Sequence, residues 1–498
     1  MPKAQDWGET LEDLERRRQH ARDMGGPERL DKHRNKGKLD ARARIEYLLD
    51  PGTFRELGTL VGGEIAADGL VVGSGEINGS PVMLGAEDFT TMAGSIGPGG
   101  NSKRYRIAEL ALRDKIPLVM LLEGAGFRPG GGHYGRTPTD LLAQAQCSGR
   151  VPTVGAVFGP SAGHGALVAP VCDFRIMSRQ GAIFTAGPPV VKESTGEDIS
   201  KEDLGGPDVA LPSGVIHNVA EDDESVLDDV RRYLSYFPPS AWSYPASLPP
   251  DEDTEPRATP ELLDIVSRDN RRVYDMRGVL DVIFDRPDWF EVQPQYGKAI
   301  ICALAHLGGH PVAVVANQPQ VLAGSIDAAA ADKAAHFIMV ADSFHLPLVF
   351  LADNPGMLPG SRSERSGVLR AGARMFAAQT AATTVKLHVT LRKAYGFGSM
   401  VMSLLGFDSQ SATFAYPGAT MGAMSAAALG RATHAGEDVT AKLREAELQA
   451  SFRSAEHMGF DELIDPRETR DVLLASLKRG LSSRQAAAEP VSRTVIMP

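Results

Sequence analysis

Gly159-Pro160-Ser161-Ala162-Gly163-His164-Gly165 joins the apolar run 151–158 to a second apolar segment that begins at Ala166. The pattern predicts a buried strand that turns sharply and re-enters as a helix. Glycines at such a turn let the backbone approach a ligand closely, and the first amides of the following helix lack intrahelical acceptors, so they can face developing negative charge. That is the geometry of an oxyanion hole. The alternative is a glycine turn that only packs a helix on a sheet. After the run 384–391 the chain presents Ala394-Tyr395-Gly396-Phe397-Gly398, in which Gly396 and Gly398 are spaced as Gly163 and Gly165 are.

Working outward, the recurrence extends well beyond the turn. Pro81-Val82 returns as Pro311-Val312, and Ala93-Gly94-Ser95-Ile96 as Ala323-Gly324-Ser325-Ile326, both at an offset of 230. Pro117-Leu118-Val119 returns as Pro347-Leu348-Val349, and Gly126, Pro129, Gly130 as Gly356, Pro359, Gly360, at the same offset of 230. The glycine turns lie 233 apart, and Ala182 and Phe184 match Ala412 and Phe414 at 230. Constant spacing of this kind marks an internal duplication.

In each copy short apolar strands alternate with segments of helical period. Strands are predicted at 81–85, 116–122 and 151–158, and again at 311–316, 346–351 and 384–391, with helices such as 103–113 and 368–378 between them. Alternating strand and helix predict an α/β class with largely parallel sheets. Prolines crowd 237–260 among acidic residues, a linker composition, and the two domains are expected as 1–250 and 251–498.

Composition narrows the function classes. At 498 residues, 43% hydrophobic and 23% charged, the chain has the composition of a soluble protein of two large domains. A net charge of −11 argues against nucleic acid or an anionic membrane as the main partner. Cys147, Cys172 and Cys302 stand apart in apolar sequence, as buried free thiols do, and form neither a zinc ribbon nor a disulfide framework. No secretory leader or long apolar span is visible, so a cytoplasmic protein is expected. The basic run 28–44 reads as a solvated or subunit-contact face, with a phosphate site as the alternative.

These motifs resemble the carboxyltransferase (β) subunits of biotin-dependent acyl-CoA carboxylases, the propionyl-CoA carboxylase-like family. The resemblance runs nearly end to end: GKLDARARIEYLLDPGTF at 37–54, DLGG at 203–206, SGVIH at 213–217, YDM at 274–276, NQPQVLAGSID at 317–327, DNPGMLPG at 353–360, RKAYG at 392–396, MGA at 421–423 and IDPRETR at 464–470. It implies two tandem crotonase-like (ClpP/crotonase) domains, the first serving the acyl-CoA and the second biotin. It implies transfer of a carboxyl group from carboxybiotin to the α carbon of a short or medium acyl-CoA, with a biotin-dependent decarboxylase or transcarboxylase subunit, or an inactive scaffold subunit, as alternatives. The family assembles as a hexamer in which the first half of one subunit meets the second half of another.

By the same resemblance, amides of Gly163, His164 or Gly165 serve the thioester and those of Phe397 and Gly398 serve biotin. Lys103, Gly124, Ala125, Gly126, Arg128 and Met400 are the expected substrate-binding positions, with a surface or helix-end cation as the alternative for Lys103 and Arg128. In the family's usual account biotin itself takes the α-proton; His164 is nevertheless a candidate general base. No biotin-attachment motif, ATP-binding module or metal-ligand cluster is visible, so biotin is expected on a biotin carboxylase or biotin carrier partner, with no metal. Three places depart from the family pattern: His164 between two glycines, Phe397 before Gly398, and the 124–128 segment.

Overall fold

The computed structural model describes residues 7–128, 139–270, 272–285, 289–404, 409–491 and 496. Pro129 and Gly130, which entered the repeat, lie outside them. Contacts divide the chain into two compact units, one running to Ser235 and joined by Ile496, the other Tyr236–Val491. The proline-rich stretch belongs to the second unit: the amide of Leu248 donates to the Gly309 carbonyl at 2.8 Å, and Asp251 caps a short helical turn, Glu252–Thr254.

The first unit is built on β1 (Arg55–Leu57), β2 (Leu70–Ile77), β3 (Ser80–Glu87), β4 (Leu118–Gly124), β5 (Thr153–Ala162), β6 (Phe174–Ser178), β7 (Ala182–Phe184) and β8 (Asn218–Ala220). Their order is β1-β2-β3-β4-β5-β6-β8, with β7 beside the far end of β5. The second unit repeats this with β9 (Phe290–Val292), β10 (Ile300–Leu307), β11 (His310–Asn317), β12 (Leu348–Asn354), β13 (Lys386–Tyr395), β14 (Ala412–Ala415), β15 (Thr420–Gly422) and β16 (Glu462–Leu463), in the order β9-β10-β11-β12-β13-β14-β16. The first three strands of each sheet are antiparallel and the rest parallel.

The duplication is kept residue by residue. Leu70 pairs with Glu87 in β2–β3, and Ile300 with Asn317 in β10–β11, both 230 residues on. One sequence match fails. Ala182 and Phe184 lie in β7, whose counterpart beside the end of β13 is β15, whereas Ala412 and Phe414 lie in β14, the counterpart of β6. Eleven residues (163–173) separate β5 from β6, but sixteen (396–411) separate β13 from β14. The five extra residues move the offset from 233 to 238 (174 to 412, 182 to 420), and the apparent match at 230 is a coincidence of two alternating strands.

Core strands such as β4, Leu-Val-Met-Leu-Leu-Glu-Gly, are buried at every position, so their apolar runs are continuous rather than alternating. The helix Pro98–Asp114 starts with proline in its first turn, turns Ile107, Ala108 and Ala111 into the core, and stops where Lys115 goes left-handed at φ +58°. All three cysteines are buried free thiols.

The basic run 28–44 is not the solvated face the sequence suggests. Lys38 and Arg44 are buried and both reach Glu123 at 2.7 Å, Arg44 also reaches Asp223 at 2.8 Å, and His33 lies 3.7 Å from Glu123. Burial opposes the Glu123 charge, but Arg44 and Lys38 outweigh it and hold its pKa down at about 2. No helix among the described residues is long and apolar enough to cross a membrane.

Candidate active site

At the end of β5 the chain enters the short helix Gly163–Ala166; at the end of β13 it enters Gly396–Val401. Ala162 and Tyr395, the residues before each helix, hold nearly the same extended conformation (φ −123°, ψ 146° and φ −118°, ψ 143°). Gly163 and Gly396 then take φ +54° and +56°, a left-handed conformation that glycine reaches without strain. The sequence therefore uses glycine where the backbone reverses, and the helix-initial amides of both copies face the same end of their sheets.

Two further loops meet each turn. The Ala125 amide donates to the Ala93 carbonyl at 3.0 Å and the Ile96 amide to the Gly126 carbonyl at 2.7 Å, so Gly124, Ala125 and Gly126 are laced to 93–96. A Cβ on Gly126 would fall 2.7 Å from the Ala162 carbonyl, which places this loop directly against the turn. In the second unit the Ile326 amide donates to the Gly356 carbonyl at 3.1 Å, and a Cβ on Gly398 would meet the Gly356 Cα at 2.6 Å.

The expected cations occupy other posts. Lys103 is only 4% exposed, and its ammonium donates to the carbonyls of Ala67 and Leu70; burial brings its pKa down to about 8. Arg128 pairs with Asp68 at 2.5 Å and donates to Ser95 Oγ at 3.0 Å and the Ser95 carbonyl at 2.7 Å. Neither is a surface or helix-end cation. Together they fix the 66–70 loop, in which Ala67 and Asp68 are held at φ +47° and +52°. Met400 lies on Gly396–Val401 with 38% of its surface exposed, and Phe397 sits 5.9 Å from Phe376, ring centre to ring centre.

Beneath the first turn lies a charged chain that the sequence reading missed. His164 Nε2 is 2.5 Å from Asp140 Oδ1; Arg104 lies 3.9 Å from Asp140 Oδ2 and is bonded to Glu87; Glu87 accepts the Glu123 amide at 2.6 Å. Burial disfavours the Asp140 charge, but the His164 hydrogen bond and Arg104 outweigh it and hold the carboxyl below its ordinary range. For Glu87 burial wins over Arg104, and its pKa rises. The second unit is neutral at the matching place: Asn317 stands for Glu87, accepting the Asp353 amide at 3.0 Å and an Asn354 N–H at 3.0 Å. The exchange of Glu87 for Asn317 at an offset of 230 was the one signal in the sequence; nothing local marks Asp140 as buried.

Two such units in one chain, each a crotonase-like sheet ending in a backbone-amide turn, define a carboxyltransferase. A model of the carboxyl transferase domain matches residues 32–493, and the chain belongs to that family. It is an enzyme of the biotin-dependent acyl-CoA carboxyltransferase class. It is 36% identical over 504 residues to the methylmalonyl-CoA carboxyltransferase 12S subunit of Propionibacterium freudenreichii subsp. shermanii, with 95% of each chain covered. It is 34% identical over 506 residues to the propionyl-CoA carboxylase carboxyltransferase subunit of Haloferax mediterranei, covering 96% of this chain and 97% of the relative. The transcarboxylase 12S crystal structure, a hexamer assembly with methylmalonyl-coenzyme A and methylmalonic acid bound, matches with a TM-score of 0.90 at 34% identity, over 98% of this chain and 99% of the other.

Proposed function

We propose that this chain moves a carboxyl group between biotin carried on a separate protein and the α carbon of a short or medium acyl-CoA. The observation that carries the reading is the pair of left-handed glycine turns, Gly163 and Gly396, at matching strand ends. Forming a thioester enolate puts charge on the thioester oxygen, and releasing a carboxyl group from biotin puts charge on the ureido oxygen. Two oxyanions call for two sets of preorganised donors. The amides of Gly163, His164 and Gly165 serve the thioester, and those of Phe397 and Gly398 the ureido oxygen. Lys103 and Arg128 act on CoA through the shape of the 66–70 loop.

The second turn suits biotin chemically. Its surroundings are neutral (Asn317, Asn354, Phe397), as befits an uncharged ureido ring, and its glycines leave no side chain between backbone and ligand. When bound, biotin supplies the transferable carboxyl group; the chain supplies position and hydrogen-bond donors. Domain 1–250 is the acyl-CoA half and 251–498 the biotin half. The working form is a cytoplasmic homo-hexamer core that receives a biotin carboxylase and biotin carrier partner. The same half-reaction run backward, with a carboxylated acyl-CoA as donor, is favoured as a second reading by the 12S relative.

The test is dependence on biotin. Alone, the chain is expected to fix no labelled bicarbonate onto propionyl-CoA; with ATP, a biotinylated carrier and biotin carboxylase it is expected to do so, and avidin to stop it. Avidin-insensitive carboxylation sinks the reading.

Met400 is the proposed ruler for the acyl chain. It offers methylenes and a thioether but no strong hydrogen bond, and one methylene in such a pocket is worth only about 1–3 kcal/mol. Met400→Ala is expected to shift the kcat/KM ratios among acetyl-, propionyl- and butyryl-CoA by about tenfold. Unchanged ratios in a stable variant assign Met400 to packing.

A further inference from the structure

We infer that the His164 side chain, held by Asp140, is the base that takes the α-proton of the acyl-CoA in the first unit. The inference rests on the carboxyltransferase reading and departs from the expectation that biotin takes this proton.

The geometry starts from the hydrogen bond. Asp140 is fully buried and ionised, so it can only accept; His164 Nε2 must therefore carry the hydrogen, which leaves the ring's lone pair on Nδ1. Among the described residues Nδ1 has no hydrogen-bond partner. The imidazole side chain keeps 25% of its surface exposed, so the ring is neither sealed in the core nor free to rotate in solvent. Asp140 is itself fixed from behind by Gln144, which donates to Oδ2 at 3.1 Å, and by Arg104 beyond it. A neutral imidazole oriented by a buried carboxylate is a general base.

The duplication supplies an independent argument. Both units keep the glycine turn, because both oxyanions need amides, but only one unit needs to break a C–H bond. The ionisable chain His164, Asp140, Arg104, Glu87 exists only in the first. At the position of His164 the second unit has Phe397, whose ring lies against Phe376 and Gly372, and at the position of Glu87 it has the neutral Asn317. Acid–base groups are thus confined to the half that the reading assigns to the acyl group.

The step balances without biotin. The α C–H bond breaks, its electron pair enters the enolate held by the turn amides, and the proton goes to His164 Nδ1, where Asp140 steadies the imidazolium. In the absence of a carboxyl donor the same proton returns, or exchanges with solvent through the exposed face of the ring and returns as deuteron.

The full chain with propionyl-CoA in D₂O, without carrier, ATP or bicarbonate, is expected to deuterate the α carbon, read by mass spectrometry and proton NMR. His164→Ala keeps the backbone amide and is expected to lower this exchange at least about 100-fold, with recovery on adding imidazole. Asp140→Asn is expected to lower the exchange rate with little change in the KM for propionyl-CoA, the mark of a positioning residue rather than of a lost fold. His164→Gln, close in size to histidine and still able to hydrogen-bond Asp140, guards against a folding artefact and should be as inactive in exchange as alanine. A wild-type chain that transfers carboxyl groups with its carrier but exchanges nothing alone overturns the inference and leaves the carboxyltransferase reading intact. Exchange that survives in both His164 variants also overturns it. Failure of transfer and exchange together, with acetyl-, propionyl- and butyryl-CoA, overturns the underlying reading as well.

Discussion

Gly398→Ala is expected to lower carboxyl transfer by about 10²–10³-fold, the cost of losing an oxyanion donor, whereas Gly165→Ala at the matching place is expected to cost much less. The two glycines sit over different floors. A Cβ on Gly398 would fall 2.3 Å from Asn354 Oδ1 and 2.6 Å from the Gly356 Cα. Neither neighbour can give way cheaply: Asn354 is buried, accepts the Gly356 amide at 3.1 Å and donates to Asn317, and Gly356 is backbone. The helix start must move instead, and a displacement of about 1 Å in a positioned group is enough to cost about 100-fold. On Gly165 a Cβ would meet only Glu87 Oε1 at 3.2 Å and the Ile96 side-chain tip at 3.6 Å. Steady-state transfer by the two variants, each with carrier and biotin carboxylase, makes the comparison. Equal losses would mean that the second turn is not a tight donor site.

How much of this was readable beforehand follows from what leaves a trace in sequence. The turns were legible because a left-handed backbone at a strand end selects glycine at Gly163 and Gly396, and because the duplication printed the same choice twice. Strand positions were legible because buried parallel strands are continuous apolar runs. Pairing partners were less so: Ala182 and Phe184 found the wrong counterparts because an insertion between β13 and β14 is invisible to a fixed offset. Burial of charge was not legible at all. Lys38, Arg44, Lys103 and Arg128 look like any surface cations in one dimension, and only the folded chain shows each against a carbonyl or carboxylate. Asp140 and His164, 24 positions apart, meet only because consecutive βα units return the chain to the same sheet end.

Glu123→Gln is expected to cost the first unit about 3–5 kcal/mol at pH 7, because removing one member of a buried ion cluster strands the others. Glu123 is the hub. Lys38 and Arg44 each reach it at 2.7 Å; Lys38 also donates to the Phe158 carbonyl at 2.8 Å, and the Arg44 guanidinium lies 4.3 Å from the Phe158 ring centre. Glutamine keeps the shape and offers one acceptor oxygen, but two cations remain out of water with only Asp223 to answer them. Against a typical domain stability of about 5–15 kcal/mol, this loss makes the first unit melt well before the second. The pH dependence has a fixed sign. The folded pKa of Glu123 is about 2 against an ordinary 4.5, a depressed value. Its contribution is therefore complete above pH 4.5 and is lost as pH falls through 2. Urea unfolding of wild type and variant, followed at pH 7 and again at pH 3, should show the gap between them narrowing at the lower pH. A gap that stays constant would mean that the carboxylate is not charged in the folded protein, and that the cluster is held by hydrogen bonds alone.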